Sequence, residues 1–181
     1  HHRRGAARQA AAVSAGGAVP APFSSGPRDV LAEWADYNGH LNMAYYHVLF
    51  DNAIDVVLDW LGLGPAVAAE TGQSVFTAQA QVHYLREVAP GSRVIVETRL
   101  IAHDAKRLHY VQTMRDAIEG WVAAVSENIV LHVDLRVRRV TPWSAPVAAR
   151  LAQAVAAHDA LPLPPQVGRR VELPGRPGLS D

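Results

Sequence analysis

The segment WADYNGHLNMAYYHVLFDNAIDVVLDWLG, residues Trp34 to Gly62, decides the fold. It opens on a polar cluster of Asp36, Tyr37, Asn38, Gly39, His40 and Asn42, and an apolar run from Met43 to Leu61 follows at once. Asn38-Gly39 is a strong turn signal. Asn42 has the chemistry of an N-cap. Gly62 stands where a left-handed C-terminal residue is wanted, and Pro65 follows. These signals predict a helix over 43–61, roughly 28 Å long. Asp51, Asp55 and Asp59 recur every fourth residue and share one face. Val48, Leu49, Ile54, Val57, Leu58 and Leu61 fill most of the remainder, so the helix is expected to be largely buried and wrapped by a sheet. The polar cluster sets a carboxylate, an imidazole and two amides just ahead of the helix N-terminus. Backbone N–H groups are unpaired there, and the helix dipole favours negative charge. A carbonyl that becomes an oxyanion during acyl transfer needs such donors. Asp36 is therefore expected as the reactive carboxylate of an acyl-transfer or hydrolysis site.

Working outward, residues His1 to Gly26 are rich in Ala, Gly, Ser, Pro and Arg without periodicity, and read as a flexible extension. An Arg-containing, acid-free start also fits a targeting peptide. Arg28 to Trp34 reads as a short strand. Beyond the helix, a linker around Ala66 to Gly72 leads to four strand-like runs dense in Val, Ile, Thr and Tyr: Ser74 to Glu87, Arg93 to Asp104, Arg107 to Asp116 and Trp121 to Val140. Pro90-Gly91, Asp104-Ala105-Lys106 and Glu119-Gly120 are short connections, so antiparallel hairpins and a meander are expected. Ser144 to His158 reads as a terminal helix, and the Pro/Gly-rich stretch Leu161 to Asp181 as an exposed tail. The reading divides the chain into an extension (1–26), a helix-on-sheet α+β domain (27–143), a C-terminal helix (144–160) and a tail (161–181).

Composition removes several classes. With 49% hydrophobic and 19% charged residues the chain is an ordinary globular one. Seventeen basic residues cancel seventeen acidic ones, so no whole-chain field for nucleic acid exists. No cysteine is present, which excludes disulfides, thiolate metal sites and a Cys nucleophile. The apolar run over 43–61 is broken by three aspartates and is not read as a membrane span. Nothing points to export, so a cytoplasmic location is expected. Among the nine histidines no HExxH motif occurs, and no metal is expected, although His103 and His109 flank one turn and could approach each other.

Asp36-Tyr37-Asn38-Gly39-His40-Leu41-Asn42, with Tyr45 and Tyr46 behind it, resembles the D-x-x-G-H-x-N-x-x-Y signature of hot-dog thioesterases of the 4-hydroxybenzoyl-CoA thioesterase type. Tyr84-Leu85-Arg86-Glu87, the stretch His103 to His109 (HDAKRLH), and Ser126-Glu127-Asn128 with Leu131-His132-Val133-Asp134 sharpen the match. Together they look like the betainyl-CoA thioesterases of carnitine breakdown and the related domain fused to some L-carnitine dehydrogenases. The resemblance covers about Val30 to Trp143. It implies a hot-dog fold, a long central helix wrapped by a curved antiparallel sheet. It also implies an acyl-CoA substrate, no separate cofactor, and a site at the interface of a homodimer, with a tetramer as the larger alternative. Asp36 would be the nucleophile or the general base for water. His40 and Asn42 would hold the loop or touch the substrate.

Each residue also has a plainer role. Asp36 could only close an Asx-turn before Asn38-Gly39. His40 could bond backbone, and Asn42 could only cap the helix. Gly39 permits a backbone angle closed to other residues, and with Tyr37 and Tyr46 it is a candidate substrate contact. Lys106 and Arg107 could pair with coenzyme A phosphates, or be a solvated turn. Trp34, Tyr37, Tyr45, Tyr46, Tyr84, Trp121 and Trp143 are candidates for holding a quaternary ammonium by aromatic faces. Glu127 could be a second carboxylate of the site, pair with a nearby Arg, or face solvent. Acyl-carrier-protein thioester hydrolysis and a non-catalytic acyl-CoA binding module are alternative functions.

Overall fold

The computed structural model describes residues 17–175; positions 1–16 of the expected extension and 176–181 of the expected tail lie outside the described residues. The elements in chain order are β1 (Phe23–Ser24), β2 (Arg28–Asp29), a 3-10 turn (Ala32–Trp34), α1 (Met43–Leu61), α2 (Pro65–Thr71), β3 (Gln73–Tyr84), β4 (Arg93–His103), β5 (Arg107–Asp116), β6 (Val122–Asp134), β7 (Arg139–Val140) and α3 (Ala145–His158).

Helix α1 begins and ends where its capping residues dictate. The Asn42 side chain accepts from the Ala44 amide at 2.9 Å. Gly62, at φ 80°, donates its amide to the carbonyls of Asp59 and Leu58, a left-handed closure that a Cβ would strain. Tyr46, Leu49, Phe50, Ala53, Ile54, Val57, Trp60 and Leu61 are buried. Their spacing of three and four residues makes one stripe. The helix is not buried on most sides as expected. Met43, Asp51 and Asp59 are exposed, because the sheet reaches only the apolar stripe.

The sheet order is β1-β4-β5-β6-β3, with β2 also on β4 and β7 on β6. Strands β4, β5 and β6 form the expected meander, but β3 pairs with β6 instead of with β4. The Pro90-Gly91 connection is therefore not a hairpin. It is taken up elsewhere: Val88 is buried, its carbonyl accepts the Leu41 amide at 3.1 Å, and the Gly91 amide donates to Val30 at 2.8 Å. Alternation along β4 and β5 turns Val94, Val96, Leu100, Gln112 and Met114 toward α1. Gln112 is buried and donates to the Phe50 carbonyl at 3.0 Å and to Thr98 Oγ1 at 3.3 Å, which ties helix to sheet.

Four further expectations are corrected. The extension does not reach Gly26, because Phe23 is buried, pairs with Thr98 and meets Trp60 edge-on at 5.5 Å. The strand expected over 28–34 stops at Asp29 and gives way to the 3-10 turn. The linker before β3 is the Pro-started, Ala-rich helix α2. The run from Trp121 to Val140 breaks after Asp134, whose carboxylate accepts the Arg136 amide at 2.8 Å while Arg138 adopts φ 53°. Arg136 and Arg138 thus lie in a turn. The described part of the tail is mostly exposed and is also docked. It crosses the outer face of the sheet, where Arg99 Nε donates to the Leu161 carbonyl at 3.2 Å and Glu127 accepts the Gly168 amide at 2.8 Å. Among the described residues no single helix is long and apolar enough to cross a membrane.

His158 closes the domain at the end of α3. It is fully buried; Nδ1 accepts from the Leu100 amide at 2.9 Å, and Nε2 stands 2.7 Å from the Pro20 carbonyl. Both contacts are satisfied only by the neutral ring with its proton on Nε2. Burial pushes its pKa down, the Pro20 carbonyl opposes this, and the nearby Arg99 charge adds to the fall. The unfolded chain therefore takes up the proton first, near the ordinary value of about 6.5. The stability contributed is complete above that pH and is lost as pH falls through the lower, folded value. Urea unfolding should show a falling midpoint between pH 7 and pH 5. In His158→Ala the pH slope should flatten, and the loss of two buried hydrogen bonds and of packing should cost about 2–4 kcal/mol at pH 7.

Candidate active site

The loop ahead of α1 is a closed turn. Asp36 Oδ1 accepts from the amides of Asn38, at 2.9 Å, and His40, at 3.2 Å. The Gly39 amide donates to the Asp36 carbonyl at 3.0 Å, and the Asp36 amide to the His40 carbonyl at 2.8 Å. Gly39 sits at φ 78°, which the turn requires. The plainer reading of Asp36, an Asx-turn, is thus correct for one of its oxygens. Oδ2 has no hydrogen-bond partner among the described residues and remains available for chemistry.

The helix N-terminus offers fewer donors than a bare one. The Ala44 amide is taken by the Asn42 side chain and the Tyr45 amide by the Asn42 carbonyl at 3.0 Å. The Met43 amide has no partner among the described residues. The bridge between Ala35 and Leu41 and the 2.9 Å bond from the Asn42 amide to the Trp34 carbonyl fold the loop back on itself. A partly buried carboxylate and the first open amide of α1 are thereby held on one short, doubly pinned segment. Such an arrangement can present an oxygen base or nucleophile and a donor to one carbonyl group.

Around this pair the structure gathers other groups. His40 Nε2 lies 3.1 Å from Glu87 Oε2, a partner for His40 that the sequence reading missed. Only contact between the loop and the 85–92 connection reveals it. Tyr46 is buried and meets Tyr84 edge-on at 5.1 Å. Burial pushes its phenol pKa up, against a hydrogen bond with the Val88 backbone. Burial also raises that of Tyr84, whose hydroxyl is 3.0 Å from His47 Nε2. Trp34 stacks on Tyr45 at 5.1 Å, and Arg86 covers the Trp121 ring at 4.1 Å. Trp34, Tyr45, Tyr46 and Trp121 belong to one cluster at this end of the core. Trp143 packs on His132 in the other cluster.

Tyr37 is 97% exposed and touches none of these groups. Lys106 and Arg107 are not brought to Asp36. They cap the hairpin at the far end of β4, roughly 30 Å away along the strand. Arg107 is bound to Asp104 at 2.6 Å, and that guanidinium, with the Lys106 and Arg107 amides, holds the Asp104 carboxyl down to about 2. Glu127 lies on the outer sheet face, bound to His109 at 2.7 Å, away from α1. Among the described residues no group of three or more His, Asp or Glu side chains could hold a metal.

Comparison with known proteins gives this geometry a context. The family model for the thioesterase-like superfamily matches residues 30–151. The chain is 41% identical over 145 residues to the betainyl-CoA thioesterase of Pseudomonas aeruginosa, covering 80% of this chain and 91% of that protein. It is 34% identical over 142 residues to the L-carnitine dehydrogenase/betainyl-CoA thioesterase of Rhizobium meliloti, covering 78% of this chain and 28% of that longer protein. Among solved structures, a Pseudomonas putida KT2440 protein assigned as a thioesterase superposes with a TM-score of 0.73 at 33% identity, covering 84% of this chain and 97% of that one. A Staphylococcus aureus protein solved in complex with CoA gives a TM-score of 0.79 at 22% identity, covering 87% and 99%, and shares the fold. The curved sheet around one long helix is the hot-dog arrangement expected from the sequence.

Asn42→Ala should release the Ala44 amide and destabilise the protein by about 1 kcal/mol, while Asn42→Asp should keep the cap. Chemical denaturation of the two variants measures the difference.

Proposed function

The chain belongs to the thioesterase-like superfamily, and on that footing we propose that it hydrolyses acyl-CoA thioesters, with betainyl-CoA as its substrate. The observation that carries the reaction is that Asp36 closes its turn through one oxygen alone, on a pinned loop that leads directly into the N-terminus of α1. The extent of the match to the Pseudomonas aeruginosa enzyme supports the choice of substrate.

In the proposed reaction the thioester carbonyl oxygen accepts from the Met43 N–H, aided by the helix dipole. Asp36 Oδ2 then attacks the carbonyl carbon, or takes the proton of a water that does. In either route the tetrahedral oxyanion collapses and the coenzyme A thiolate leaves. A thiolate is a good leaving group, so no strong general acid is called for, and the reaction uses water with no separate cofactor. His40, held by Glu87, flanks the carbonyl, and Asn42 keeps the first turn in place. Tyr46 and Tyr84 line the acyl end, where aromatic faces attract the trimethylammonium group of betaine. We assign the cytoplasm as the compartment, where acyl-CoA substrates are held.

The unit that acts is a homodimer in this proposal. Strand β3 has β6 on one side and, among the described residues, no partner on the other. Its middle residues are exposed, with Phe76 at 55%. An unpaired edge of this kind is a template for another strand. Antiparallel pairing along β3 would bring the Tyr84 end of one chain beside the Gln73 end of its partner. The partner's Lys106 hairpin belongs to that same end, through the pairing of Arg107 with Leu131. The basic tip would then serve the CoA moiety bound at the other chain's Asp36.

Asp36→Asn keeps a turn-closing oxygen and should lower kcat by roughly 10²- to 10⁴-fold, with Tm and CoA affinity unchanged. Free-thiol release from a panel of acyl-CoA esters measures it, and unchanged turnover removes Asp36 from the chemistry. In the same panel betainyl-CoA should exceed butyryl-CoA in kcat/KM by roughly 3- to 30-fold. Light scattering should give a dimer at micromolar concentration and a monomer for Phe76→Asp. A monomeric wild type would end the β3 assignment.

A further inference from the structure

A cavity lies on the outer face of the sheet, the face turned away from α1. It occupies about 420 Å³ between the outer face of β5 and β6 and the crossing segment that starts at Leu161. That volume is within the range of small-molecule sites. Val111 and Val125 form its floor, and Leu161 and Leu163 its roof. The walls are therefore mostly hydrocarbon, and two arginines stand at the rim. Their situations differ. Arg115 is neutralised by Glu97 at 3.0 Å. Arg99 donates Nε to the Leu161 carbonyl at 3.2 Å and Nη1 to the Leu100 carbonyl at 3.5 Å. It has no carboxylate partner among the described residues. An apolar chamber whose uncompensated charge is a guanidinium favours an amphipathic anion, since Arg binds carboxylates through paired N–H donors.

We propose that this cavity is a binding site for an aliphatic monocarboxylate of about six to ten carbons, its chain between Val111, Val125 and Leu163 and its carboxylate on Arg99. The site is separate from the Asp36 turn, so it does not rest on the hydrolytic reading. A ligand there bridges sheet and crossing segment, and so binds the folded chain in preference to the unfolded one. Occupancy then raises thermal stability.

The test uses the full chain and three probes of one chain length: octanoate, octanol and octylamine. Octanoate should raise Tm in proportion to the logarithm of its concentration above Kd, by roughly 5–10 °C at one hundred times its Kd. Octanol should raise it less, and octylamine not at all. Octanoate should shift the methyl resonances of Val111 and Val125 in the NMR spectrum of the wild type. Saturating CoA should leave its Kd unchanged. Arg99→Gln should weaken octanoate at least tenfold and leave octanol unaffected, and Asp36→Asn should bind octanoate like the wild type. The absence of an octanoate-dependent rise in Tm, equal shifts from octanoate and octanol, or displacement by CoA would each overturn the proposal. If Arg99→Gln does not fold, the three-probe comparison and the methyl shifts decide alone.

Discussion

The seat of helix α1 on the inner face of the sheet is the constraint on which the remaining structure depends. Its buried stripe from Tyr46 to Leu61 meets β4 and β5, and burying that many large side chains is the main favourable term of the fold. The contact is also directional. Gln112 reaches out of the sheet to the Phe50 carbonyl, a polar contact inside an apolar layer that is satisfied in one register only. With α1 fixed in this way, the position of its N-terminus relative to the strands is fixed as well. The turn at Asp36 follows from that position.

The turn and the catalytic proposal draw on the same side chain without conflict. One oxygen of Asp36 closes the loop, and the other is left for chemistry. A carboxylate anchored through one oxygen loses little freedom on meeting a substrate, and this preorganisation is where positioned groups gain their effect. Asn42 is comparable, because it caps α1 and thereby decides which amide of the first turn stays open. In the proposed reaction, structural and chemical roles that looked like alternatives for single residues are shared between atoms of the same residue.

The two faces of the sheet are put to different uses. The inner face holds α1 and the core. The outer face carries charged and polar side chains, including Arg99, Glu97, Arg115, His109 and Glu127, and is crossed by residues after α3. That crossing is built from carbonyl and amide contacts to side chains, not from strand pairing. Hence a Pro-rich segment, which cannot supply a regular ladder, can still dock there.

The sequence by itself determined the elements whose signals are local. The ends of α1 follow from Asn42 and Gly62, β5 from its strand-forming residues between two short connections, and the Asp36 turn from Asn38-Gly39, because caps, local propensity and turns involve residues close in the chain. Tertiary structure alone decided whatever depends on which distant residues meet. It paired β3 with β6, gave His40 its partner Glu87, buried Phe23 within an unpromising terminus, and laid the Pro-rich segment over the sheet. It also separated Lys106 and Arg107 from Asp36 within one chain. No periodicity encodes these contacts. They are set by burial of apolar area and by the cost of leaving an enclosed polar group without a partner, conditions that only the assembled fold can weigh.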